Sequence, residues 1–120
     1  MNFNLSDRAK DYRDRLNTFM DKYIYPIENE VYQFYSVHRS ELHPSVKELK
    51  NHAREAGLWN LFLGPEYSPY GSDLLNIEYA CLAEEMGKVP WASEVFNCNA
   101  PDSGNMEVLA KYGNESQKKQ

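Results

Sequence analysis

Cysteine is scarce: Cys81 and Cys98 are the only two in the chain. Neither sits in a paired metal-ligand spacing, and neither has a histidine close by in sequence to activate it. They read as reduced thiols that pack as small hydrophobes. Basic blocks are equally wanting. The densest is Lys118-Lys119, and the net charge is -5. A nucleic-acid binder needs a clustered cationic face, so that class is excluded. Long apolar runs are missing too. Leu58 to Leu63 is the longest, far short of the roughly 20 residues of a membrane span. The six glycines are scattered and form no phosphate-cradling cluster. Asp7, Asp11 and Asp14 interrupt the first stretch, which has the character of neither a secretory signal nor a mitochondrial presequence. The expected location is the cytosol.

Catalytic constellations are also sparse. His38, His43 and His52 match no helix-face or finger pattern, so no metal site is expected. Glu84 and Glu85 are adjacent on a predicted helix, where neighbours point in different directions and cannot share an acid/base task. Taken alone, these residues specify a folded domain and no reaction.

What the chain does have is helical periodicity. Its 120 residues, 42% hydrophobic and 13% aromatic, suffice for one small core. Ser6 is a good N-cap, followed by Asp7 at the positive end of a helix dipole. Ala9, Tyr12, Leu16, Phe19, Met20 and Tyr23 then recur at steps of three and four, with Arg8, Asp11, Arg15 and Lys22 opposite. Pro26 predicts a break or kink near Tyr25. Ile27, Val31, Phe34 and Tyr35 give a second, shorter helix. Ser45 to Glu48 has capping-box spacing ahead of Val46, Leu49 and Ala53, with Gly57 as the left-handed cap. Leu58 to Leu63 reads as an extended buried segment, and Gly64 to Gly71 as a loop.

Ser72 or Asp73 is expected to cap the next helix, with Leu75, Tyr79, Leu82 and Met86 inward, Glu78, Glu84 and Glu85 solvated, and Gly87 at its end. After Pro90, Trp91 to Cys98 fits a turn or two of helix. Met106, Leu109 and Ala110 mark another, closed by Gly113. Asn114 to Gln117 then has cap-box spacing and announces a further helix. No segment alternates cleanly like a strand. The class is all-α, a small helical bundle, with Leu16, Leu49, Trp59, Leu61, Tyr79 and Leu82 in the core.

Three segments, in order, resemble the N-terminal domain of acyl-CoA dehydrogenases. They are Leu49 to Asn60 with its Ala56-Gly57-Leu58-Trp59 exit, Asn76 to Gly87 with Glu84-Glu85-Met86-Gly87, and Asn97 to Leu109 followed by Tyr112-Gly113 and Gln117-Lys118-Lys119. Pro90 to Cys98 is similar to a subgroup that includes long multidomain eukaryotic members and many bacterial enzymes. The resemblance implies that residues 1–120 are the first domain of a flavoenzyme that oxidises acyl-CoA to enoyl-CoA, cut before the β-domain. It implies FAD in the complete, homo-oligomeric enzyme, held with the catalytic base by later domains, and no FAD or catalytic residue on this chain alone. By the same resemblance Phe96, Asn97, Cys98, Asn99 and Asp102 line the acyl tunnel, where the Asn and Asp side chains are polar for a plain fatty chain. The competing expectation is a stand-alone helical interaction module that uses an exposed aromatic face. In either case Trp91, Phe96, Met106 and Tyr112 suggest a side built to be covered, and a bare chain would self-associate or leave its residues after about Tyr112 unstructured.

Overall fold

The computed structural model describes residues 4–119, so the outermost positions of the 1–120 span lie outside it. The first helix, α1 (Asp7–Phe19), begins where its cap is expected. Ser6 is extended, and its Oγ accepts the Ala9 amide at 3.1 Å. Ala9, Leu16 and Phe19 turn inward. The helix then changes pitch instead of ending. It widens into a π-helical turn, Met20–Ile24, tightens into a 3-10 turn, Tyr25–Ile27, and runs on as α2 (Glu28–Val37). Pro26 is the cause: it has no N–H to donate, and its ring clashes with regular α geometry one turn earlier. The Tyr25 amide reaches back to the Met20 carbonyl, while Met20 and Ile24 stay fully buried.

Two predicted caps are replaced by others. Helix α3 (Pro44–Glu55) is capped by His43, whose Nδ1 accepts the Ser45 amide at 3.1 Å. Pro44 takes the first helical position, where its missing N–H leaves nothing unsatisfied. Ser45 therefore lies inside the first turn, and no box with Glu48 forms. At the other end Gly57 adopts φ 71°, and the Leu58 and Gly57 amides donate to Ala53 and Arg54 carbonyls at 2.9 and 3.1 Å. This pairing is a Schellman cap.

The following run buries Leu58, Leu61 and Leu63 as expected, but it turns where an extended course was expected. Its pivot is Asn60, in the left-handed region at φ 56°. A 3-10 turn, Pro65–Tyr67, leads to Gly71, which passes so close that a Cβ would sit 2.2 Å from the Gly64 carbonyl oxygen.

The second replacement is at α4 (Asn76–Met86), where neither Ser72 nor Asp73 is the cap. Ser72 fastens the loop instead, its one hydroxyl proton shared between the Leu61 and Leu63 carbonyls, each 2.9 Å from Oγ. Asp73 accepts the Tyr12 hydroxyl at 2.9 Å, and its carbonyl accepts from Arg8. Leu75 occupies the cap position, its amide donating to Glu78 Oε1 at 2.9 Å, and Ser6 Oγ donates to Glu78 Oε2. Glu78 is thus buried, contrary to the solvated face expected of it, because it serves the ends of two helices. Leu75 in turn is 55% exposed.

The rest follows α5 (Ala92–Val95), α6 (Asp102–Tyr112) and α7 (Glu115–Lys118). Asn114 and Gln117 exchange the two predicted cap bonds at 2.9 Å each. After Tyr112 the chain passes through Gly113 and Asn114 into the short helix α7. Helix α1 packs along α4, and α3 against α5. Phe96 is wholly buried with its ring edge-on to Phe19 at 5.2 Å between centroids. Leu16, Leu49, Leu61 and Leu82 are buried, whereas Trp59 and Tyr79 are half-buried at the margin. Trp91 and Phe96, expected on a coverable patch, belong to the core, and the Trp91 indole N–H donates to the Glu28 carbonyl at 3.2 Å. The exposed large apolar residues include Val108, Leu109 and Tyr112 on α6, Leu75 and Ile77 around the start of α4, and Tyr25, Tyr32, Val37 and Leu42 on and around α2. Among the described residues there is no strand, and no helix is long and apolar enough to cross a membrane.

Two outcomes follow from this packing. Leu82→Ala removes a fully buried side chain, and urea unfolding should show a loss of about 2–5 kcal/mol. Glu78 is held below the ordinary carboxylate range, first by the Ser6 hydroxyl and then by the Leu75 amide. Its folded value lies below its unfolded one, so its stabilisation is present above the unfolded value and lost as pH falls through the folded one. Glu78→Gln should lower the melting temperature at neutral pH, and the gap to wild type should shrink as pH falls below the ordinary carboxylate range.

Candidate functional site

A half-open cleft of about 950 Å3 separates the end of α3 from α6. Lys50 and Arg54 of α3, with Trp59, Asn60 and Leu63 of the turn that follows, line one side. Asp102, Met106, Leu109 and Ala110 of α6 line the other, and Asn97 lies between them in the chain. Tyr70, Gln117 and Lys118 complete the lining. Sequence order explains the arrangement. Gly57 ends α3 sharply, and the left-handed Asn60 swings the chain so that Leu58 and Leu61 enter the core while Trp59 and Asn60 face the cleft.

The two sides are joined by a pair of asparagines. Asn97 is also left-handed, at φ 53°, and its Nδ2 donates to Asn60 Oδ1 at 2.6 Å. The Asn60 amide donates to the Phe96 carbonyl at 3.1 Å. Non-glycine residues rarely adopt positive φ, and asparagine is among the most tolerant. Two such residues bonded to each other fix the approach of the α3 turn to the chain entering α6. Arg54 lies over the Trp59 ring at 4.1 Å from its centroid and donates to Asn51 Oδ1 at 3.1 Å, so its guanidinium is held on this side.

Residues 6–120 match the family model described as the acyl-CoA dehydrogenase N-terminal domain. The chain belongs to the acyl-CoA dehydrogenase family. It is 45% identical over 118 residues to mouse acyl-CoA dehydrogenase family member 10, covering 95% of this chain and 11% of that protein. It is 46% identical over 123 residues to mouse family member 11, covering 98% of this chain and 15% of that one. A solved structure of a Mycobacterium abscessus protein described as an acyl-CoA dehydrogenase superposes with a TM-score of 0.80 at 42% identity, over 97% of this chain and 30% of that chain. The chain thus spans a small part of the relatives it matches, and what it matches there is the helical N-terminal domain.

Within this acyl-CoA dehydrogenase domain the five residues expected to line a tunnel divide. Asn97 and Asp102 face the cleft. Phe96 is core, Cys98 lies partly buried with its thiol donating to the Phe96 carbonyl at 3.3 Å, and Asn99 donates from Nδ2 to Glu94. None of these three lines the cleft. Burial raises the Cys98 thiol above its ordinary range, and burial likewise raises the neighbouring Tyr79 hydroxyl, with Cys98 adding to it. Cys81 is raised by burial too, and its thiol donates to the Glu78 carbonyl at 3.0 Å. Neither thiol has the low pKa of a nucleophile. The histidines serve the frame: His43 caps α3, His52 stacks on Tyr23 at 5.1 Å and His38 on Phe34 at 4.5 Å.

Lys50, Arg54 and Asn60 are cleft residues that periodicity does not single out, and Trp59, expected in the core, also faces the cleft. Asparagine following Trp59 and Phe96 is the one local hint, because it tolerates the left-handed turn that both sites need. If that geometry is what Asn97 supplies, Asn97→Ala should unfold at lower urea than Asn97→Gly. A Cβ without the amide carries a left-handed cost of about 1–2 kcal/mol that glycine avoids.

Proposed function

We propose that this domain is the first part of a flavin-dependent acyl-CoA dehydrogenase, an oxidoreductase converting acyl-CoA to enoyl-CoA, and that its cleft is one wall of the acyl tunnel. The observation that carries this reading is the cleft itself, placed between the α3 turn and α6 of a domain of this family. Trp59, Leu63, Met106 and Leu109 offer apolar surface to an acyl chain, and Asn60, Asn97 and Asp102 offer a polar stretch beside it. Phe96, Cys98 and Asn99 support that wall from behind. The exposed Val108, Leu109 and Tyr112 favour a covering surface, which a β-domain and a C-terminal helical bundle would provide along with the catalytic base. We place the assembled enzyme in the cytosol as a homo-oligomer.

Family members generally use FAD, but the described residues do not fit it by themselves. The cleft is open, no cluster of glycine amides faces it, and Gly64 and Gly71 are spent on their own close approach. What these residues do is hold an acyl chain and exclude water along one side of it.

In the holoenzyme carrying this domain, Met106→Trp should lower kcat/KM for long acyl-CoA substrates by at least about tenfold and spare short ones, since a filled pocket discriminates by length. An equal loss at every chain length would overturn the lining role. The isolated 120-residue chain should purify without stoichiometric flavin absorbance. A yellow chain would place the cofactor here after all. If the holoenzyme turned over no acyl-CoA, the stand-alone interaction module would be the reading that remains.

A further inference from the structure

One charged pair joins the lining of the cleft to the structure behind it. Glu94, on α5, accepts from Lys50 Nζ with one carboxylate oxygen and from Asn99 Nδ2 with the other. The Lys50 and Glu94 side chains are only 19% and 24% exposed. Asn99 Oδ1 is buried without a hydrogen-bond partner among the described residues, so the hydrogen bond to Glu94 is what orients this amide. The carboxylate is therefore held from two sides and cannot swing away from Lys50.

Lys50 lines the cleft and Glu94 does not. The other charges on the lining are differently placed. Arg54 is laid over Trp59, Lys118 comes from α7 and Asp102 from the start of α6. Lys50 is the cation whose charge is cancelled from outside the cleft. Arg54 and Lys118 have no ion pair among the described residues, so it is the stretch of wall beside Lys50 that is left neutral. A carboxylate leaving water there finds no unspent cationic partner, while an uncharged chain is well served.

Resting on the acyl-tunnel reading, we infer that Glu94 is a specificity-determining residue: by neutralising and tethering Lys50 it sets that stretch of the cleft for uncharged acyl chains and against those that would place a terminal carboxylate beside it. It touches no reacting atom and acts through Lys50, so it is a positioning residue whose effect belongs in KM more than in kcat.

The test uses the holoenzyme with octanoyl-CoA and suberyl-CoA, which differ by a terminal carboxylate. Wild type should favour octanoyl-CoA. Glu94→Gln keeps the shape and the acceptor for Asn99 while releasing the Lys50 charge. It should move the ratio of kcat/KM values toward suberyl-CoA by about tenfold, a typical coupling for groups in contact. The double variant Lys50→Met with Glu94→Gln should lose that gain while remaining folded by circular dichroism. A Glu94→Gln enzyme that loses both substrates equally, or a gain that survives the loss of Lys50, would overturn the inference. Wild type turning over neither substrate nor any other acyl-CoA would instead overturn the underlying reading. Turnover with an unmoved ratio would overturn this inference alone.

Discussion

Glu78 is the group on which the arrangement of the helices most depends. Two helices start side by side, and each start carries unsatisfied amides and the positive end of a dipole. One carboxylate serves both: it accepts the Leu75 amide at α4 and the hydroxyl of Ser6, which itself caps α1. Arg8 and Tyr12 add bonds to Asp73 across the same junction. With these ends fixed together, α1 and α4 pack along their lengths, and Leu16, Leu82 and Met86 meet in a core closed to water. A buried charge is costly alone, and here the Ser6 hydroxyl, the Leu75 amide and the nearby Arg8 outweigh desolvation and the Asp73 carboxylate.

The cleft depends on the same principle at a second place. Its two sides belong to segments far apart in sequence, and polar groups bind them where apolar packing ends. Asn60 and Asn97 hold the turn after α3 to the chain entering α6, and Glu94 holds α3 to Asn99 from behind. Phe96 lies between these two linkages, anchored in the core. Its neighbours are therefore set by burial on one side and by hydrogen bonds on the other. A surface built in this way keeps its shape while its lining residues remain free to meet a ligand or another domain.

Much of this was legible in the residues. The cap at Ser6, the left-handed Gly57 and the Asn114–Gln117 box are bonds over a few positions, and short-range chemistry alone decides them. The apolar stripe of α1 likewise follows from helical period. Where the reading failed, a distant partner had changed the choice. Ser72 was free to cap a helix until the Leu61 and Leu63 carbonyls needed it. Ser45 lost its place to His43, whose ring is buried against Phe34 and whose amide donates to the Tyr35 hydroxyl at 3.3 Å. Trp59 and Tyr79 sit on apolar faces, yet they stand at the margin of the core.

The all-α class, most helix limits, the family and the interior places of Leu16, Leu49, Leu61 and Leu82 are readable from the residues without a fold in hand. Each rests on period, capping or motif order, which are written locally along the chain. The tertiary structure alone decided that Glu78 is buried, that Trp91 and Phe96 are core, and that Lys50, Asn60 and Asp102 share a cleft. Those outcomes join residues as far apart as Ser6 and Glu78, 72 positions, or Lys50 and Glu94, 44 positions. A pairing at that distance is chosen by how the whole chain packs, because many polar side chains could locally have made either bond.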